Sequence, residues 1–170
     1  VATPPLSGPF CVAGCVTYPY TDFASRVPRD FLWMWPALLV TPAFAVLAGS
    51  VLERALAERR RHGRLGFGFA LVATGLLTAV YLVQLRFVQP AILLGETAGL
   101  EPWSQYNPHG VFIALEEAGY LLIALAFPFL ALAIPRTSAL ERAARRVLMT
   151  GAGAMLVFLV GLSIRYGMAV

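Results

Sequence analysis

GVFIALEEAGYLLIALAFPFLALAI, residues 110 to 134, decides the fold. A hydrocarbon core is crossed by about 20 apolar residues rising about 1.5 Å each, and this run is long enough to do so. Its only charges are two adjacent glutamates, Glu116 and Glu117. Three more stretches share its length and character, which predicts four spans at 31 to 52, 66 to 88, 111 to 134 and 147 to 168. Composition points the same way. The 170 residues are 59% hydrophobic and 13% charged, with a mean hydropathy of +0.74, whereas charged residues alone make up about 25% of a soluble domain. The expectation is an all-α polytopic membrane helical bundle of four transmembrane helices, forming one integral membrane domain over residues 1 to 170. Residues 1 to 30 are then an outer or interfacial segment, and no soluble domain is left over.

Arginine sets the predicted orientation, since all 13 basic residues are Arg. Arg54, Arg59, Arg60, Arg61 and Arg64 fall in the connection 53 to 64, and Arg136, Arg142, Arg145 and Arg146 in the connection 135 to 146. Both basic loops are expected in the cytoplasm, and the segment 89 to 110, without Lys or Arg, outside. Trp33, Trp35, Trp103, Tyr18, Tyr20, Tyr106 and Tyr166 all map to that outer side, as an interfacial aromatic belt would. The inner loops account for the pI of about 9.5. No basic stripe is interleaved with stacking aromatics, so nucleic acid is excluded as a partner.

The sequence begins at Val1. Phe10 to Tyr18 is apolar but too short to span; it reads as the tail of a missing first helix, which would make five, as a remnant near a signal cleavage site, or as an interfacial segment. Cys11 and Cys15 lie in it, and a spacing of four on a regular helix is poor geometry for a bridge, which favours two buried thiols over an oxidised pair. Two blocks echo each other: PAFAVLAGSVLERALAERR (42 to 60) and PFLALAIPRTSALERAARR (128 to 146). Both contain the S-x-x-E capping box, Ser50 to Glu53 and Ser138 to Glu141. The second, after Pro135, predicts a helix start; the first, inside an apolar run, reads as a solvated face. The echo suggests two hairpins of like topology.

Asn107 followed by Pro108 reads as an N-cap and first helical residue, which starts the third span at about 108. Glu116 and Glu117 then lie about 12 Å along the axis, in the outer leaflet. Adjacent helical positions point about 100° apart, so at most one of them shares a face with Tyr120, Ile123 and Phe127. Arg86 and Arg165 are expected at the same depth, with Gln84, Gln89, Tyr81 and Tyr120 within a turn or two and His109 and Asp30 nearer the surface. The candidate polar pocket is therefore Glu116, Glu117, Arg86, Arg165, Tyr120, Gln84, His109 and Asp30. An ionised carboxylate in hydrocarbon costs several kcal/mol, so at least one glutamate is expected to pair with Arg86 or Arg165. Two plainer roles compete: a lock that holds the helices in register, and arginines that snorkel to headgroups. Pro36, Pro42 and Pro128 are candidate kinks. With no H-x-x-x-H or E-x-x-H pattern, and with His62 in a basic loop on the opposite side from His109, no metal, haem or other cofactor is expected.

At RDFLWMWPALL (29 to 39), YLVQLRFVQPAILLGET (81 to 97) and YNPHGVFIALEEAGYLL (106 to 122), the chain resembles a group of bacterial multi-pass membrane proteins with an NPHGxFIALEExGYL-type segment. The resemblance covers most of the chain. It implies a bacterial inner-membrane helical bundle and related chains that begin with an additional helix, and it brings no activity or functional residue with it. Three function classes follow. The first is a non-catalytic membrane protein, an accessory subunit or a binder of a lipophilic small molecule, with the bilayer, a bound lipid and other membrane subunits as partners. The second is a membrane-embedded enzyme on a lipid-like substrate, with Glu116 or Glu117 as general acid or base. The third is proton or ion transport, disfavoured because no polar chain continues through the inner halves of the spans.

Overall fold

The computed structural model describes residues 6 to 8 and 11 to 166. Among these residues the chain is all-α, with four helices long and apolar enough to cross a membrane: Arg29–Glu53, Ala57–Leu94, Val111–Ala133 and Ala139–Gly161. The regular elements that make them up are α1 (Met34–Glu53), α2 (Arg60–Val83), a π-helical turn (Gln84–Val88), α3 (Gln89–Leu94), α4 (Val111–Ala133) and α5 (Ala139–Tyr166), the last extending beyond its span. The chain divides into two compact units. One takes the residues up to Leu38 together with Thr78–Glu116, the other Leu39–Leu77 with Glu117 onward, so the division falls inside α1, α2 and α4.

The first unit is built on aromatics from loops. Phe23, Phe31 and Tyr106 are buried, with Phe23 4.8 Å from Tyr106 and 5.9 Å from Phe31 between ring centres. Ser104 is buried too, and its hydroxyl donates to the Tyr20 carbonyl at 2.7 Å. The N-terminal segment thus packs on the connection 95 to 110. Residues 11 to 18 hold no helix, which removes the helical-tail reading for them; Phe10 lies outside the described residues. Cys11 and Cys15 form a disulfide with Cα atoms 5.8 Å apart, against the expectation of two thiols. That expectation assumed a helix, whereas this segment turns at Gly14, whose φ of +63° is a left-handed conformation that glycine adopts freely.

The second unit has a small-residue core. Ala48, Ala70, Ala126 and Leu130 are buried together, with Phe44, Val51, Phe67, Phe69 and Leu148 packed against them. Alanine at these positions lets helix backbones approach closely, the usual means of helix association where lipid supplies no hydrophobic drive. Gly66 extends this: a Cβ there would lie 2.9 Å from the backbone nitrogen of Leu130. Thr74 on α2 donates to the Thr41 carbonyl on α1 at 2.9 Å, beside Pro42 in the interior of α1. Pro36, by contrast, sits in the first turn of α1, where a missing N–H costs nothing, so it is no kink.

Arginines finish α4. Arg59 donates to the Ile134 carbonyl at 2.8 Å and Arg145 to the Ala131 carbonyl at 3.0 Å. They satisfy carbonyls that the last turn leaves open, and their charge suits the negative end of the helix dipole. The chain then restarts with the predicted capping box. The Thr137 and Ser138 N–H groups each donate to Glu141 Oε2 at 2.8 Å, and the Glu141 N–H donates to Ser138 Oγ at 3.1 Å. Ser50, in the echoing block, instead donates to the Val46 carbonyl within α1. One copy of S-x-L-E-R-A closes a helix and the other opens one, so the two blocks are not equivalent structural repeats. His62, expected in a loop, lies in the first turn of α2.

Candidate functional site

Pro90 shapes the site. Its ring would strike the carbonyl of Arg86 in a regular α-helix, and it offers no N–H. The chain answers with the π-helical turn Gln84–Val88, closed by the Gln89 N–H bonding to the Gln84 carbonyl, and then continues as α3. This is why the second span runs past the predicted end at 88. It stops at Gly95, whose φ of +75° suits a left-handed cap; the Glu96 N–H bonds back to the Ala91 carbonyl at 2.8 Å.

The buried face runs through this turn without a break: Val80, Tyr81, Gln84, Leu85, Val88 and Ala91 recur at three- and four-residue intervals. Gln84, Leu85 and Val88 are buried, while Arg86 is exposed. Gln84 is fully enclosed; its amide nitrogen donates to the Trp103 carbonyl, and its Oε1 is buried without a hydrogen-bond donor among the described residues. One turn earlier Tyr81, 1% exposed, donates its hydroxyl to Glu116 Oε1 at 3.1 Å. The Tyr81 ring is held edge-on to Trp33 at 5.2 Å and tilted to Phe112 at 6.3 Å. Tyr81 and Glu116 are thus joined by a hydrogen bond in an aromatic setting, and Gln84 lies one turn further along the same buried face of the helix.

Glu116 is closer to its helix start than the sequence implied. Asn107 does not cap α4: its Oδ1 accepts the His109 N–H at 3.0 Å and its amide donates to the Glu101 carbonyl at 2.8 Å, which closes a turn ahead of the helix. Gly110 is the residue before α4, its carbonyl accepting the Ala114 N–H. A Cβ on Gly110 would lie 2.8 Å from the Pro102 oxygen, so only glycine fits that junction. With α4 starting at Val111, Glu116 is five steps in, about 7.5 Å along the axis. Glu117, rotated about 100° from it, is exposed, as are Tyr120 and His109.

Arg86, expected as an ion-pair partner for a glutamate, makes no ion pair with a described residue; it is exposed, on the side of its helix opposite the buried face that Tyr81, Gln84, Leu85 and Val88 share. The side chain of Arg165 lies outside the described residues. Asp30 belongs to a separate clasp. It accepts the Tyr106 hydroxyl at 2.7 Å and pairs with Arg29 at 2.9 Å and Arg26 at 3.5 Å, with the Arg26 guanidinium 5.9 Å from the centre of the Tyr106 ring. Burial, and then the hydrogen bond to Asp30, raise the Tyr106 hydroxyl above its ordinary pKa. Tyr106 is thus a buried structural residue and no member of an interfacial belt, whereas Tyr18, Trp33, Trp35 and Trp103 are exposed.

The chain matches no protein-family model, no curated protein and no solved structure. Its chemistry has to be argued from these residues alone. No cluster of three His, Cys, Asp or Glu suited to a metal ion occurs among the described residues. Sequence reasoning named Gln84, Glu116 and Asp30 and set Tyr81 in the same polar layer, but did not pair Glu116 with Tyr81, Gln84 with Trp103 or Asp30 with Tyr106. Pro90 was the available signal: a proline after a continuous apolar run marks either a helix end or a local widening, and π-turns recur at functional sites.

Proposed function

We propose that the protein is a non-catalytic bacterial inner-membrane component that binds an amphiphilic small molecule at Tyr81, Gln84 and Glu116. On this reading the two arginine-rich loops face the cytoplasm and the disulfide-bearing segment faces outside, where an oxidising compartment sustains the bond. One observation carries the proposal: Gln84 Oε1, buried and without a donor among the described residues. Such an acceptor costs about 1 to 3 kcal/mol when nothing bonds to it. A hydroxyl or amine on a lipophilic ligand is the matching donor, and one turn before Gln84 the rings of Trp33 and Phe112 pack on that of Tyr81.

The test is identification of copurifying amphiphiles by native mass spectrometry, wild type against Gln84→Leu. The wild type should retain a discrete species that the variant loses. Equal retention by both, or none by either, overturns the proposal. A second reading is favoured by the Tyr81–Glu116 hydrogen bond: a positioned carboxylate able to exchange a proton with a bound lipid-like substrate. If Glu116→Gln still retains the amphiphile but leaves it chemically altered relative to wild type, that reading takes over.

A further inference from the structure

The second unit carries a basic groove that the proposed function does not use. It occupies about 420 Å³ and is lined by Arg136, Arg142, Arg145, Arg146, Met149 and Thr150. Four guanidiniums share it, and none pairs with a carboxylate among the described residues. Their observed hydrogen bonds go to backbone carbonyls: Arg142 to Arg136 and Thr137, Arg145 to Ala131, and Arg146 to Arg142. Glu141, the acid nearest in sequence, is taken up by Thr137 and Ser138. Each of these guanidiniums has donors left over, because the group carries five N–H bonds in a planar fork. The groove is therefore a concentration of uncompensated positive charge with free donors.

We infer that this groove binds the headgroup of an anionic phospholipid. Arg142, Arg146 and Met149–Thr150 recur at three- and four-residue intervals and so lie along one face of α5. The same face continues through Gly153, Leu156, Val157 and Val160, all exposed and, past Gly153, apolar. Charge thus gives way to an exposed apolar track in the order that a phosphate headgroup and its acyl chain require. A soluble phosphate would use the arginines but leave the track idle, which is why a lipid is the occupant. Guanidinium forks match phosphate oxygens in pairs, and each arginine near an anionic surface contributes about 1 kcal/mol.

The full-length protein in detergent is titrated with phosphatidylglycerol and with phosphatidylcholine of the same acyl chains, and retention of each is read by native mass spectrometry. Wild type should prefer phosphatidylglycerol. Arg142→Gln with Arg146→Gln removes two of the four charges and should lower that preference about thirty-fold, at about 1 kcal/mol per arginine and about 1.4 kcal/mol per factor of ten. Arg60→Gln with Arg61→Gln, outside the groove, should leave it unchanged. Inorganic phosphate at millimolar concentration should not displace the lipid. Absence of a preference in wild type, equal loss in the control, or displacement by phosphate overturns the inference. A photoactivatable phosphatidylglycerol on the wild-type protein tests it without any variant: adducts should map to residues 136 to 157, and adducts confined elsewhere refute it.

Discussion

Removing one oxygen tests whether Glu116 is held by Tyr81. In Tyr81→Phe the ring keeps its place against Trp33 and Phe112, 5.2 and 6.3 Å away between centres, and only the hydroxyl that donates to Glu116 at 3.1 Å is lost. Hydrogen bonds between helices in membranes average about 0.6 kcal/mol and reach about 1.7. A carboxylate acceptor and a donor that is 1% exposed place this one toward the upper end, at about 1 to 1.5 kcal/mol. For a chain of this size that corresponds to a fall in Tm of about 2 to 6 °C. Glu116→Gln keeps an acceptor of the same shape but neutral, so it should cost about half as much through this bond. The double variant should then be less damaging than the sum of the singles by about 0.5 kcal/mol or more. Glu117→Gln, on the exposed face one residue later, should change stability little or raise it, since it removes a charge from an exposed position inside an apolar span. The assay is reversible unfolding in mixed micelles at fixed detergent composition. Additivity of Tyr81→Phe and Glu116→Gln within about 0.3 kcal/mol would mean that the two groups do not interact.

The disulfide closes a very short loop, so Cys11→Ser with Cys15→Ser should cost about 2 kcal/mol or less. The intact protein should show no thiol reactive to maleimide until it is reduced. Orientation is tested by single cysteines at the exposed positions Ala57 and Ala98 in that cysteine-free background. They should label from opposite sides in intact cells, and labelling from one side overturns the arginine-based orientation.

The spans were legible because they rest on properties that composition and length already contain. Lipid removes water from the backbone, so an apolar stretch of sufficient length has to be helical, whatever its neighbours. Ser138 was legible for a similar reason: a capping box satisfies itself within four residues, and Glu141 does so in the fold. Asn107 misled because the same side chain that caps a helix also closes an Asx turn, and the choice was made by a distant carbonyl, Pro102, bonding the Val111 N–H. Cys11 and Cys15 misled because the helical geometry assumed for them was itself inferred from apolarity, and a left-handed glycine between them undid it.

The polar cluster was legible in membership but not in arrangement, because depth along a span does not fix the side of the helix that a residue takes. Depth along a span follows from counting residues, so Gln84 and Glu116 could be placed near one level. Rotation about the helix axis depends on the number of residues per turn, and that number is constant only until something interrupts the ladder. Pro90 interrupts it, and the π-turn it imposes accommodates one extra residue between Gln84 and Gln89. The buried face nevertheless continues at three- and four-residue intervals from Leu77 through Tyr81, Gln84 and Val88 to Ile92, with Arg86 rotated to the opposite side. An ion pair argued from shared depth alone omits this rotation. Gln84, at the start of the turn, keeps an acceptor oxygen that meets no donor among the described residues, and that unused lone pair is the pointer to a ligand on which the proposed function rests.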